Sequence, residues 1–254
     1  MAIVITGRDS KTTEATGTVT ITSNSHTPSN SSLLVVAVAF INASTLLTGT
    51  FSIADNLAGH LTWTKRFYVA ESNSGYTEAL VVWSAPVIVG LPMTVTVSSS
   101  DGASDNHHNI HIFDVTDHDP TTPFVANSIT SHAIGDAAFS MNLPSAPAST
   151  SLVVGMRSRC SNGAENSGPV TPGATFTELF DTQTPTAAYT SLQTEYRTGS
   201  TSQVVDWADV QVTGSSSGVF TSNALGFEIA VAGGAAATSM PLRRRSSRTF
   251  RQRF

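Results

Sequence analysis

Leu33-Leu-Val-Val-Ala-Val-Ala-Phe-Ile41 is an unbroken apolar run of strand length. A strand with one wet face alternates apolar and polar residues, whereas a continuous run marks a strand buried on both faces. Around it the chain alternates with period two, in Thr18-Val-Thr-Ile-Thr, Thr94-Val-Thr-Val-Ser and Ile110-His-Ile-Phe-Asp-Val. Clusters of Ser, Thr, Gly, Asn and Pro separate these runs, as a strand-and-turn protein requires. The Ala-rich segment 230–237 is interrupted by two glycines, so almost no helix is expected. Thirteen strands are predicted: 2–6, 17–22, 32–41, 61–70, 76–85, 93–98, 108–115, 138–142, 150–158, 174–181, 188–197, 204–212 and 222–231.

An internal repeat organises them. Thr62-Trp-Thr-Lys-Arg-Phe67 matches Thr175-Phe-Thr-Glu-Leu-Phe180. Tyr76-Thr77 matches Tyr189-Thr190, and Trp83 matches Tyr196, all 113 residues apart. Leu33-Leu-Val-Val resembles Leu152-Val-Val-Gly, and Phe113-Asp-Val resembles Phe227-Glu-Ile. The repeats cover roughly 32–116 and 151–231. The expected fold is all-β: a jelly-roll-like β-sandwich built from an internal duplication. It occupies 1–231 as one domain, followed by a flexible linker and basic C-terminal arm over 232–254. The alternative is two tandem small sandwiches joined by Pro144-Ser-Ala-Pro-Ala-Ser-Thr.

The 254 residues suffice for a sizeable core. Only 12% are charged, which excludes a coiled coil, and 40% are hydrophobic, which argues against a disordered chain. No apolar stretch reaches 18 residues, so no membrane helix is expected. Met1-Ala-Ile-Val-Ile-Thr has no basic region leading into an apolar one. No secretory signal is therefore expected, which fits assembly in a host cytoplasm and release by lysis. The lone Cys160 forms no intrachain disulfide and is expected to be a small buried hydrophobe.

Charge is unevenly placed. Residues 1–239 carry about −11, and residues 240–254 carry +6, as Arg243, Arg244, Arg245, Arg248, Arg251 and Arg253. An acidic body with a basic tail indicates a tail that binds something. Arginine without lysine, together with Phe250 and Phe254, favours docking onto an acidic protein surface. Non-specific nucleic-acid binding would rest on the tail alone, and a solvated end is the remaining reading.

Signs of catalysis are sparse, and no catalytic residue, metal site or cofactor is assigned. Asp101, Asp105, His107, His108, His111, Asp114, Asp117, His118 and Asp119 form the densest polar cluster. On a strand, His108 and His111 face opposite ways, and His107 and His111 stand roughly 13 Å apart, too far for one ion. The cluster also lacks the twelve-residue calcium-loop pattern. Gly214-Ser-Ser-Ser-Gly218 is not the strand-to-helix setting of a nucleophile elbow. Glu178, Glu195, Asp206, Asp209 and Glu228 are the candidates for a glycosidase pair. Trp63, Trp83 and Tyr196 are the candidate glycan-binding residues, though apolar residues at matching repeat positions favour the core.

The segments Leu33-Leu-Val-Val-Ala-Val, Thr62-Trp-Thr, Trp83-Ser-Ala-Pro, Thr171-Pro-Gly-Ala-Thr-Phe-Thr-Glu-Leu-Phe-Asp181 and Leu192-Gln-Thr-Glu-Tyr-Arg-Thr-Gly199 resemble all-β structural proteins of tailed bacteriophages. The likeness is to minor tail and capsid-decoration proteins of phages of actinobacteria. It covers about residues 30–231 and leaves the arm outside. It implies a jelly-roll-like sandwich displayed on a virion, often as a trimer or other homo-oligomer among capsid or tail proteins. It implies no catalytic residues. The expected function is therefore a non-enzymatic virion protein whose arm docks onto neighbouring subunits. The alternative is a carbohydrate-binding module that attaches to host or surface glycans.

Overall fold

The computed structural model describes residues 2–15, 20–42, 50–73, 76–100, 106–132, 139–161, 170–184, 189–208 and 220–233. They contain strands and no helix. The first half supplies β1 (Val4–Ala15), β2 (Thr20–Thr22), β3 (Ser32–Asn42), β4 (Phe51–Asp55), β5 (Thr64–Asn73), β6 (Tyr76–Val87), β7 (Val95–Ser99) and β8 (Asn106–Thr116). The second supplies β9 (Phe124–His132), β10 (Phe139–Asn142), β11 (Leu152–Ser161), β12 (Thr177–Gln183), β13 (Tyr189–Thr198), β14 (Val204–Trp207) and β15 (Phe220–Ile229).

Four antiparallel sheets stack in layers. The two inner sheets have five strands each, ordered β1-β8-β3-β6-β5 and β12-β13-β11-β15-β9. Their facing sides share one core, in which Val35, Ala37, Leu80, Val82 and Phe113 meet Val154, Met156, Leu192, Leu225 and Phe227. The outer side of the first inner sheet packs on a three-stranded sheet, β2-β7-β4, through Leu34, Val36, Val38, Phe40, Trp83 and Ile110. The outer side of the second packs on β10-β14 through Val153, Ala224, Val205 and Trp207. Both inner sheets are thus covered twice, which explains the unbroken run 33–41: its residues alternate between two apolar cores. The two outer layers were not foreseen in the sequence, and neither were β4 and β9. Strand β9 lies at a sheet edge, where half its residues face water and the apolar signal fades.

The halves share one strand order. Replacing β1, β8, β3, β6 and β5 by β9, β15, β11, β13 and β12 converts one inner sheet into the other, and β2-β7 becomes β10-β14. Finer details repeat as well. A bulge interrupts β5 between Lys65 and Phe67, and another interrupts β12 between Glu178 and Phe180. Asp114 near the end of β8 accepts the backbone N–H of Ser29, just before β3. The matching Glu228 on β15 accepts that of Ala148, just before β11, at 3.0 Å. Asp114 additionally holds Arg8 by a two-pronged contact of 3.0 and 2.8 Å.

One correction concerns register. Val35 pairs with Ser84 and Phe113, and its counterpart Val154 pairs with Tyr196 and Phe227. Tyr196 therefore corresponds to Ser84, and Trp83 corresponds to Glu195, one residue away from the match read in the sequence. Trp83 faces the outer core, whereas Tyr196 packs against the shared one. Side chains alternate sides, so a slip of one residue exchanges the two faces.

The two halves meet reciprocally. Asn109 Nδ2 donates to the carbonyl of Thr190 at 3.0 Å, and its counterpart Asn223 Nδ2 donates to the carbonyl of Glu78, the counterpart of Thr190, at 3.2 Å. Ile41 and Cys160, also counterparts, touch each other in a small cluster of their own. Contact i–j mirrored by j–i, with matching residues meeting at the centre, is the signature of a two-fold interface. Both asparagines are fully buried. Replacing either by Ala is expected to cost about 1–2 kcal/mol through the lost hydrogen bond and the space left behind. Urea unfolding of Asn109→Ala and Asn223→Ala should give similar losses, and a loss confined to one of them would contradict the reciprocal interface.

Candidate functional site

The sequence candidates are dispersed by the fold. Trp83 is 3% exposed within the outer core of the first half. It is therefore corrected from a glycan-stacking candidate to a packing residue. Tyr196 is half-buried against the shared core, and Trp63 is half-buried with its indole N–H donating to Asp55 at 3.2 Å. No common aromatic platform joins the three. Arg243, Arg244, Arg245, Arg248, Phe250, Arg251, Arg253 and Phe254 lie outside the described residues, as do Asp101, Asp105, Asp209 and the 214–218 serine run.

The histidine cluster is divided between the two faces of β8. His108 stacks edge-on against Phe40 in the outer core, with ring centres 4.5 Å apart. His111 faces the other half, bonded through Nδ1 to the Thr194 hydroxyl at 2.9 Å and through Nε2 to the Thr182 hydroxyl at 2.8 Å. Burial there pushes its pKa down to about 3, so the ring stays neutral. Asp119 is occupied by the backbone N–H groups of Thr121 and Thr122. Among the described residues no group of three His, Cys, Asp or Glu is arranged to hold a metal ion.

The unforeseen chemistry lies inside the second half. The first half fills the space between its sheets with Val38, Phe40, Ala79, Val81 and Trp83. At the matching positions the second half carries Arg157, Arg159, Ser191, Gln193 and Glu195, all at most 1% exposed. Arg157 donates through Nε to the Ser222 hydroxyl at 3.1 Å, and its guanidinium lies 5.5 Å from the Phe139 ring centre. Gln193 accepts from the Trp207 indole at 2.8 Å. Glu195 accepts from the Gly173 N–H at 3.1 Å. Gly155, where the first half has Val36, leaves Glu195 its room, since a Cβ there would stand 2.7 Å from Oε1.

Burial, reinforced by the charge of Asp206, pushes the Glu195 pKa up to about 8, against the pull of the Gly173 N–H and Arg197. The carboxyl is thus protonated at neutral pH. Asp181 is pushed up to about 6 by burial and by Glu178, while Arg159 pulls it back. Glu178 and Glu195 are cross-strand partners, yet Glu178 is exposed and Glu195 buried. The interior is therefore rich in hydrogen-bond donors. Its sequence signal was the alternation in Met156-Arg-Ser-Arg-Cys160 and Ser191-Leu-Gln-Thr-Glu195, which ordinarily marks a wet face.

A second feature lies where β3 begins and β6 ends. The turn Ile88-Val-Gly-Leu-Pro92 exposes Ile88 by 83%, Val89 by 52% and Leu91 by 42%. Beside it is a groove of about 350 Å³ that His60, Thr62 and Pro86 help to line. Gly90 fixes the turn: its N–H donates to Asn30 Oδ1 at 2.7 Å, and a Cβ there would collide with the Pro28 carbonyl. Compared with protein-family models, curated proteins and solved structures, the chain matches none.

Two measurements follow from this geometry. Between about pH 4.5 and 8 the folded state keeps the Glu195 proton and the unfolded chain does not, so stability falls as pH rises. His111 acts in the opposite sense, but only below its unfolded value of 6.5. From pH 6.5 to 8 the folding free energy should therefore drop by up to about 1.4 kcal/mol per pH unit. Glu195→Gln should flatten that slope, and equal slopes in denaturant titrations of the two proteins would refute the assignment. Trp83→Ala should cost about 3–5 kcal/mol as a core truncation, and a near-neutral effect would contradict its packing role.

Proposed function

We propose that this chain is a non-enzymatic structural protein of a virus particle, of the minor-tail or capsid-decoration kind, whose basic aromatic arm docks onto neighbouring subunits. The carrying observation is a partition of chemistry. Residues 1–239, which fold as stacked sheets wherever the structure describes them, carry about −11, and the six arginines and two phenylalanines of 240–254 follow them in the sequence. Such a body presents surface, and such an arm makes contacts by ordering on a partner, with Arg–carboxylate forks and buried rings as its anchors. Other capsid or tail proteins are the partners, and the assembled form is a homo-oligomer.

The proposal extends to origin. The shared strand order, the matched bulges and the matched carboxylate latches support two jelly-roll-like units derived by duplication. The glycan-binding alternative loses Trp83 to the core and retains Trp63 alone as a partly open indole. It is therefore the weaker reading.

Deleting residues 240–254 should leave the strand signature and cooperative unfolding of the body intact while removing the chain from assembled particles. Peptide mass spectrometry on purified particles measures this directly. A truncated chain incorporated at the full copy number would overturn the docking role.

A further inference from the structure

The two halves act as controls for one another. After β13 the second half turns through Gly199-Ser-Thr-Ser-Gln203, a polar connection. After β6, at the matching place, the first half turns through Ile88-Val-Gly-Leu-Pro92. The fold therefore does not need apolar residues in this turn, yet three of them stand exposed around a groove. Exposed apolar surface held in a fixed shape marks an interaction site. The turn is fixed, because Gly90 is bonded to Asn30, and the N–H of Ser31 donates to the carbonyl of Ile88 at 3.2 Å.

The chain itself carries a matching segment. Ala232 donates to the Asp117 carbonyl at 2.8 Å, which places the last described residues at the end of β8. That point is two strands from the end of β6 in the same sheet, about 10 Å away at normal strand spacing. Residues 234–249, which precede Phe250, span up to about 55 Å when extended. The groove is therefore within easy reach of its own arm. A tethered segment faces an effective concentration near millimolar, which a neighbouring copy in dilute solution does not match. The arm brings rings for the groove, and its +6 charge opposes about −11 on the body. Asp117 and Asp119 lie at the same end of the fold, together with Lys65, Arg66 and an Arg8 already paired with Asp114.

We propose that the groove formed by Pro86, Ile88, Val89 and Leu91 is the seat of this chain's own arm, Met240–Phe254, before assembly. Phe250 or Phe254 fills the groove while the arginines reach Asp117 and Asp119. In this state the arm is stored, and joining a particle exchanges its own groove for a site on a neighbour. The inference rests on the arm being adhesive, as in the function proposed above, but not on which particle protein receives it.

Limited trypsin digestion of the full chain tests it, because every arginine of the arm is a cleavage site. The comparison is Ile88→Ser/Leu91→Ser, which gives the first turn the polarity that the second already tolerates. Cleavage within 243–253 should be roughly tenfold faster in this variant than in the natural chain, the protection being set by the fraction of time the arm is docked. The natural chain's rate should stay unchanged on dilution. Equal rates in the two proteins would overturn the proposal. Protection that vanishes on dilution would also overturn it, assigning the groove to the arm of a second copy. Particle incorporation of the arm deletion is a separate readout, so failure of the stored-arm proposal and failure of the assembly role are told apart.

Discussion

Burial of the two inner sheets on both faces is the constraint from which the rest follows. A strand such as β3 has no wet side, so its backbone groups must all be satisfied within the ladder, and its side chains must fit two cores at once. That requirement calls for a cover on each outer side, which β2-β7-β4 and β10-β14 supply. It also calls for a mate on the inner side, which each half supplies to the other.

The inner contact is built like the interface of a symmetric dimer within one chain. Asn109 and Asn223 bind matching carbonyls, and Ile41 meets Cys160 at the centre. Such an interface gains each favourable contact twice, so its apolar character persists in both halves. The outer interiors are under no such reciprocity. One is filled with Val, Phe and Trp, while the other accommodates two arginines and a protonated Glu195. The turns after β6 and β13 differ in the opposite direction, apolar in the first half and polar in the second.

The sequence revealed the fold class well and the site poorly. Strands β3, β6, β8, β11, β13 and β15 were legible because two cores impose an apolar or strictly alternating pattern on them. Strands β1 beyond Thr6 and all of β9 were obscure because edge strands are held by backbone bonds that leave little trace in side-chain type. Arg157 and Arg159 were passed over, and Glu195 was read only as a glycosidase candidate, because polar residues in alternation look the same whether water or a second sheet lies above them. The apolar turn 88–92 was readable letter by letter, but its exposure was not.

By itself the sequence determined that this is an all-β chain, acidic over residues 1–239 and basic with two phenylalanines over 240–254. Periodicity and charge are properties of the residues alone. Only the tertiary structure decided which face each strand presents, that Trp83 corresponds to Glu195, and that the halves meet through reciprocal asparagines. Register and sheet stacking join residues more than eighty positions apart. A one-residue slip leaves composition and period untouched while exchanging inside for outside.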